Sequence, residues 1–394
     1  MKYDFITVND RRNTGSIKWE VKENEIPMSI ADMDFPTSPF IKKAIEKRAE
    51  SGIYGYTEPG DDWYDAYISF FSDRYGVTLK KEWMMFSTGV VPTISSSVRK
   101  LTKEGDNVVV LSPVYNIFYN SIINNNRHVL QVELKNIDDD YFIDFDELEK
   151  AFALENTSLI IFCNPANPVG RIWTREELAK LGELANKYNV TVLSDEIHGF
   201  ITRPGKKYIP FFSVNEVNKM ISVNAVSVTK PFNLAGIQTS LCFVPNPELF
   251  KKVNRQINTD EVAEPNIFAC PVTVAALNES REWLDEMNEV VFDNRDYVEK
   301  FIKENIPSLS VKSADATYLL WINCKKLSLP SKVFADFLRK ETGLILTDGA
   351  VYGKGGDGYL RMNVACPRKT LLDALNRLKT GTEKFLALNH CVLS

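Results

Sequence analysis

Short unbroken apolar runs recur along this chain, and amphipathic stretches separate them. "NVVVLS" (107–112), "SLIIFC" (158–163), "NVTVLSDE" (189–196) and "MISVNAVSVT" (220–229) are rich in β-branched residues. Strands with no polar face are covered on both sides, as in a mostly parallel sheet between helices. Between the second and third runs lies "TREELAKLGELANKY" (174–188). Its Leu178, Leu181, Leu184 and Tyr188 fall at helical spacing, and Thr174 with Glu177 predicts a capping box. Strand, helix and strand then make a β-α-β crossover. From about residue 280 the pattern becomes a helix, then strands, then glycine-rich turns, as in an α+β unit. The predicted class is α/β, with no internal repeat and no low-complexity linker.

A doubly wound sheet binds ligands beyond the carboxyl ends of its strands, so the residues after each run carry the candidate chemistry. "NPANPVGR" (164–171) predicts a tight turn that leaves Asn167 facing the cleft. "DEIH" puts Asp195, Glu196 and His198 at the next strand end. The fourth run leads to Lys230, directly before Pro231, which denies it a helical backbone. A lysine held there is desolvated, its pKa falls and its amine becomes nucleophilic; alternatively it snorkels outward. "FSTGVVPTISSSVRKL" (86–101) reads as a turn at Gly89 opening onto a helix whose first amides suit a phosphate. Taken singly, Asp195 could cap a helix, Asn167 could hold its own turn and Gly89 could be a plain turn glycine. Taken together, these groups suit pyridoxal phosphate, which needs a lysine, an acid partner for its ring nitrogen and a phosphate cradle.

Length and composition add bounds. The 394 residues allow one large and one smaller domain. A 44% hydrophobic, 25% charged chain is a folded protein, and a net charge of −5 without a basic stripe argues against nucleic acid as partner. No apolar run approaches the roughly 18 residues of a membrane span. "MKYDFITVNDRRN" has no apolar core and is not read as a secretion signal. Cys163, Cys242, Cys270, Cys324, Cys366 and Cys391 are scattered singly, which reads as free thiols in a reducing cytoplasm, with no metal site. Asp32 and Asp34 in "ADMDF" suggest a metal pair but read as turn-forming or solvated carboxylates. "YGKGGDGY" (352–359) lacks the setting of a phosphate loop and reads as a turn that positions Arg361. The final "CVLS" fits a prenylation pattern without upstream basic residues and reads as chance.

The stretches "SIADMDFPTSP" (29–39), "YGYTEPGD" (54–61), "NPANPVGRIWTREEL", "LSDEIH", "TKPFNLAG" and "YLRMNVACPR" (359–368) carry a resemblance over nearly the whole chain. The chain resembles fold-type I pyridoxal-phosphate enzymes of the class I/II aminotransferase superfamily. Within them it is similar to the cystathionine β-lyase branch, also called C–S lyases or cysteine desulfhydrases. The resemblance implies a large domain over residues 50–279 with a mostly parallel seven-stranded sheet. Residues 1–49 and 280–394 would form the smaller domain. Lys230 would carry the Schiff base and act as acid and base at Cα, Asp195 would pair with the pyridine nitrogen, and Tyr115 would stack on the ring. Asn167 and His198 would lie near the phenolic oxygen. Gly89, Val90, Val91 and the Ser227 hydroxyl would hold phosphate, joined by Tyr56 from the other subunit of a homodimer. Arg361 would clamp the substrate carboxylate, with Asn167 and Tyr119 beside it, and the segment holding Asp32 and Asp34 would lie near the substrate entrance.

"DEIH" has His198 where aminotransferases usually have tyrosine, which favours lyase over aminotransferase. "LAGIQTS" (234–240) lacks the phosphate arginine that many of those enzymes carry. The implied activity is a cytoplasmic β-elimination that converts L-cystathionine or L-cysteine-type substrates to a thiol or sulfide, pyruvate and ammonia. An aminotransferase on the same fold and a cofactor-binding regulatory protein with residual lyase activity are the alternatives.

Overall fold

A computed structural model describes residues 1–390, so the terminal "CVLS" lies outside the described residues. Seven strands form the main sheet: β1 (Met84–Ser87), β2 (Asn107–Ser112), β3 (His128–Glu133), β4 (Thr157–Cys163), β5 (Thr191–Asp195), β6 (Ser222–Val226) and β7 (Ser240–Phe243). Their spatial order is β1-β7-β6-β5-β4-β2-β3, parallel except for β7, which runs against both neighbours. Alternate side chains feed two cores. Val109, Ile160 and Val192 pack with Leu178 and Leu181 of the helix Arg175–Lys187. Val108, Leu159, Leu193 and Val223 pack with Ile94 and Val98 on the opposite face. Each such buried side chain stabilises the fold by about 1.5–3 kcal/mol, which is why these strands show no polar face.

The expected capping box is present: Thr174 and Glu177 each bond the other's backbone. After the long helix Arg281–Asn305 comes a second, antiparallel sheet. It contains β8 (Ser310–Val311), β9 (Leu319–Asn323), β10 (Thr347–Asp348) and β11 (Tyr359–Asn363), ordered β8-β9-β11-β10. Ile26–Pro27 pairs with Leu344–Ile345, so the N-terminal segment joins this half of the molecule.

The fourth apolar run is shorter than its pattern suggests. Its strand stops at Val226, because Phe232 N–H bonds Val228 O and Leu234 N–H bonds Thr229 O, closing a turn instead of extending the ladder. Lys230 lies on that turn, beyond the strand itself. Short β1, β3 and β7 had no strong sequence signal. Five cysteines are free and buried, and among the described residues no cluster could hold a metal and no helix is long and apolar enough to cross a membrane.

Candidate active site

Register sets the geometry. Cys163 pairs with Asp195, and Asp195 with Ala225, so β4, β5 and β6 end level. Asn164 N–H to Asp195 O and Glu196 N–H to Ala225 O, each 2.8 Å, carry the ladder one step further. The turn after β4 closes through Ala166 N–H to Arg171 O and Trp173 Nε1–H to Cys163 O, both 2.9 Å. Gly170 sits at φ +74° there, and a Cβ would come within 2.9 Å of Ala314 Cβ and Ala316 O, so only glycine fits. The level strand ends bring Asn167, Asp195, His198 and Lys230 around one cavity of about 270 Å³. Tyr115, Gly89, Val90 and Val91 complete its wall.

Burial governs the charges. It pulls the Lys230 ammonium down to about 8; Arg361 adds to the fall, while Asp32 and Asp195 oppose it. Burial pushes Asp195 up to about 7 against the Ile197 N–H at 3.0 Å and the charge of Lys230. Burial, with the Lys230 and Arg361 charges, drops His198 to about 3, so its imidazole is neutral at physiological pH. The Tyr115 hydroxyl is raised by burial. The Lys230 amine donates to Ala31 O at 2.6 Å.

Arg361 enters from β11. Its Nη1 donates to Asn167 Oδ1 at 3.2 Å and its Nη2 to Ser29 O at 3.0 Å, with the guanidinium 5.0 Å over the Tyr352 ring. Its Nε is buried and has no partner among the described residues, an open donor suited to a carboxylate.

Several expected positions fall elsewhere. The Ser227 hydroxyl donates to Thr239 O at 2.6 Å and accepts from Thr229 N, because it begins the turn; Thr229 lines the cavity in its place. Tyr119 turns aside, its hydroxyl donating to Tyr352 O at 2.8 Å, so it is not at the cavity wall. Tyr56, expected at the site of the other subunit and not at its own, is 101% exposed and clear of its own chain's cavity. Asp32 and Asp34 are not solvated turn residues. Arg11 and Lys18 bind both, and Trp19 Nε1–H donates to Asp34, so the pair anchors the N-terminal segment. Tyr318 carries no local motif, and Thr229, Gln238 and Ala31, though inside quoted stretches, carry no mark of their own; tertiary contact gathers all four.

Glu196 points away from the cavity. Ser194, Tyr208, Phe211 N–H and Asn164 all donate to its carboxylate, tying the ends of β4 and β5 together. Burial raises it to about 7 from the ordinary 4.5, despite the Phe211, Ser194, Tyr208 and Asn164 bonds. A raised carboxyl keeps its proton in the folded state while the unfolded chain ionises, so stability falls as pH rises from about 4.5 to 7. Glu196→Gln removes that loss. Thermal unfolding should therefore show the variant gaining on the parent across this window, by an amount of the order of 3 kcal/mol at most; a gap constant with pH would contradict it.

The residues present fit pyridoxal phosphate. His198 Nδ1 is buried and unpartnered among the described residues. The helix Val90–Leu101 starts with no side-chain cap, leaving its first amides for an anion. A Cβ at Gly89 would press to 3.1 Å from Pro92 Cδ, so the bare backbone keeps the cradle open.

The profile of the family described as aminotransferase class I and II matches residues 23–378. The chain is 37% identical over 385 residues to cystathionine beta-lyase PatB of Bacillus subtilis, covering 96% of this chain and 99% of that one. Cystalysin from Treponema denticola, solved with pyridoxal 5'-phosphate, superposes with a TM-score of 0.95 at 30% identity, covering 98% of this chain and all of that one. The pyridoxal-phosphate-bound C-S lyase from Staphylococcus hominis gives a TM-score of 0.90 at 31% identity, covering 97% of this chain and 98% of that one.

Proposed function

The chain belongs to the class I and II aminotransferase family, and from that premise we propose that it is a pyridoxal-phosphate-dependent carbon–sulfur β-lyase. It takes L-cystathionine or an L-cysteine-type thioether and, with one water, releases a thiol, pyruvate and ammonia. The observation that carries this reading is the cavity where Lys230, Asp195, Asn167 and His198 converge at level strand ends. The names of the similar proteins support the choice of lyase.

When bound, pyridoxal phosphate supplies an electron sink conjugated to the substrate Cα. Lys230 and Asp195 would hold it at amine and ring nitrogen, Asn167 and His198 at the ring edge, Tyr115 on its face. The start of the helix Val90–Leu101 and Thr229 would hold its phosphate. Arg361 takes the substrate α-carboxylate through Nε and Nη2, fixing the Cα–H bond toward Lys230. The Lys230 amine, near 8, removes the Cα proton. With that proton gone, the Cβ–S bond breaks, sulfur takes the bonding pair, and the proton now on Lys230 completes the departing thiol.

In this reading residues 50–279 form the cofactor-binding domain and residues 1–49 with those from 280 onward the smaller one, its last four residues, 391–394, lying outside the described residues. Two copies pair so that Tyr56 of the partner subunit completes each site. Ile53, Tyr54 and Tyr56, at 74%, 61% and 101% exposure, support a surface that a second copy covers. Tyr56→Ala protein and Lys230→Ala protein, each impaired, should regain activity when unfolded together and refolded, because a mixed dimer holds one intact site. No gain over the separate proteins would sink the shared site.

The lyase itself is tested by two incubations of purified protein. Pyruvate and free thiol from L-cystathionine, with no new amino acid formed from an amino donor and 2-oxoglutarate, is the expected result. The reverse pattern would identify an aminotransferase.

A further inference from the structure

Lys230 is not free in its cavity. Its amine rests on the Ala31 carbonyl at 2.6 Å, and the same oxygen accepts the Tyr318 hydroxyl at 3.0 Å. Three distant pieces of chain meet at that atom. Lys230 comes from the turn after β6, Ala31 from the N-terminal segment and Tyr318 from the residue before β9. The carbonyl is held from both sides: Asn363 Nδ2 donates to Ile30 O at 2.7 Å and to Asp32 O at 2.6 Å, and Arg361 Nη2 reaches Ser29 O at 3.0 Å. Tyr318 is fully buried, its own carbonyl accepts Val364 N–H at 2.9 Å, and its ring stands edge-on to His198 with centroids 6.1 Å apart. A side chain locked this tightly can aim a neighbour without touching the reacting atoms.

We infer that Tyr318 is a positioning residue for Lys230, holding the Ala31 carbonyl as a fixed rest for the amine. The inference builds on the lyase reading for its kinetic consequence, while the rest itself is a property of the protein alone. A neutral amine has two N–H groups and one lone pair. With one N–H engaged by Ala31 O, rotation about Cε–Nζ is restrained, and the lone pair is aimed at one place in the cavity. When that lone pair takes the Cα proton, the C–H bonding pair stays with the substrate. The new positive charge on Nζ then sits against a carbonyl dipole. Asp32, Asp195 and Arg361 also act on this charge. The first two are anions and the third a cation, so a neutral, immobile acceptor sets direction where they set only field.

The test uses Tyr318→Phe, which keeps the ring and removes one donor. In the cofactor-free protein, acetic anhydride modification of Lys230, followed by peptide mass against pH, should show its midpoint falling by about half a unit or more, because the Ala31 carbonyl that accepts from the charged amine is no longer held in place. In the loaded enzyme kcat should drop about tenfold. KM and cofactor affinity should stay within about twofold, and the isotope effect from deuterium at Cα should grow. An unchanged midpoint and isotope effect, or a loss confined to KM and cofactor affinity, would overturn the inference and leave Tyr318 a packing residue. If Tyr318→Phe does not fold, 4-aminophenylalanine and 4-methylphenylalanine at position 318 decide. Both fill the space, and only the amino group donates, so only it should behave like the parent. Parent enzyme that releases no pyruvate would defeat the lyase reading, and the acetylation midpoint would still judge Tyr318.

Discussion

Lys230→Ala should lower pyruvate release from L-cystathionine by about 10⁴-fold or more, with the fold intact. The reason lies in the neighbours. A base works best when its pKa lies near the working pH, and Lys230 near 8 meets that condition. His198 near 3 is too weak a base, Tyr115 is raised by burial, and Asp195 is held by Ile197 N–H. None can take over the proton at Cα. The same substitution has a signature in stability with a defined sign. Burial lowers Lys230 from 10.5, so the folded state disfavours its charge and loses stability as pH falls from about 10.5 toward 8. Removing the amine should therefore leave the melting temperature of the cofactor-free protein at pH 7 unchanged or higher. Borohydride treatment followed by peptide mass should find a pyridoxyl group on the Lys230 peptide of the parent. Turnover in the variant within about a hundredfold of the parent, or a pyridoxyl adduct on another lysine, would remove Lys230 from the chemistry.

The second large effect is expected at Arg361. Arg361→Lys keeps the charge but loses the planar fork and the buried Nε. Charge-assisted hydrogen bonds contribute about 1.5–3 kcal/mol each, so losing the paired geometry should lower kcat/KM by about 10²–10³-fold. The variant should also forget its carboxylate. An amine substrate lacking that group should be discriminated against far less than by the parent. Steady-state kinetics on the two substrates gives both numbers. A fall under about fivefold would mean that another group binds the carboxylate. The Nη1 bond to Asn167 makes some loss in kcat expected as well, because Asn167 is left without that anchor.

The candidate site was legible in sequence where a residue sits beside its strand. Asp195 ends β5, Asn167 and His198 lie within four residues of the ends of β4 and β5, and a sheet in register turns neighbours in sequence into neighbours at one rim. Lys230 was legible from its place after the fourth apolar run, whereas the role of Arg361 was reached through the resemblance, and the cavity and the Arg361–Asn167 bond gather both with the strand-end residues. Ser227 and Tyr119 show the limit. Both lie within a residue or a turn of the site, and each gives its hydroxyl to a backbone carbonyl instead. Which way a hydroxyl points depends on the nearest unsatisfied acceptor, and that is a tertiary fact. Asp32 and Asp34 teach the same lesson in charge: two acids in a short motif look solvated until Arg11 and Lys18 close over them.

By itself the sequence determined the layered α/β architecture, since apolar runs without a polar face can exist only between two covering layers. It also determined the capped helix Arg175–Lys187 and the chemical kinds of group available at the strand ends. Only the folded chain decided that Lys230 and Tyr318, 199 and 287 positions from Ala31 in sequence, both donate to the Ala31 carbonyl. It alone decided the proton affinities of Lys230, Asp195 and His198. The cause is common to both. Burial and long-range contact are properties of packing, and a side chain's charge and direction answer to the dielectric and donors around it, whichever part of the chain supplies them.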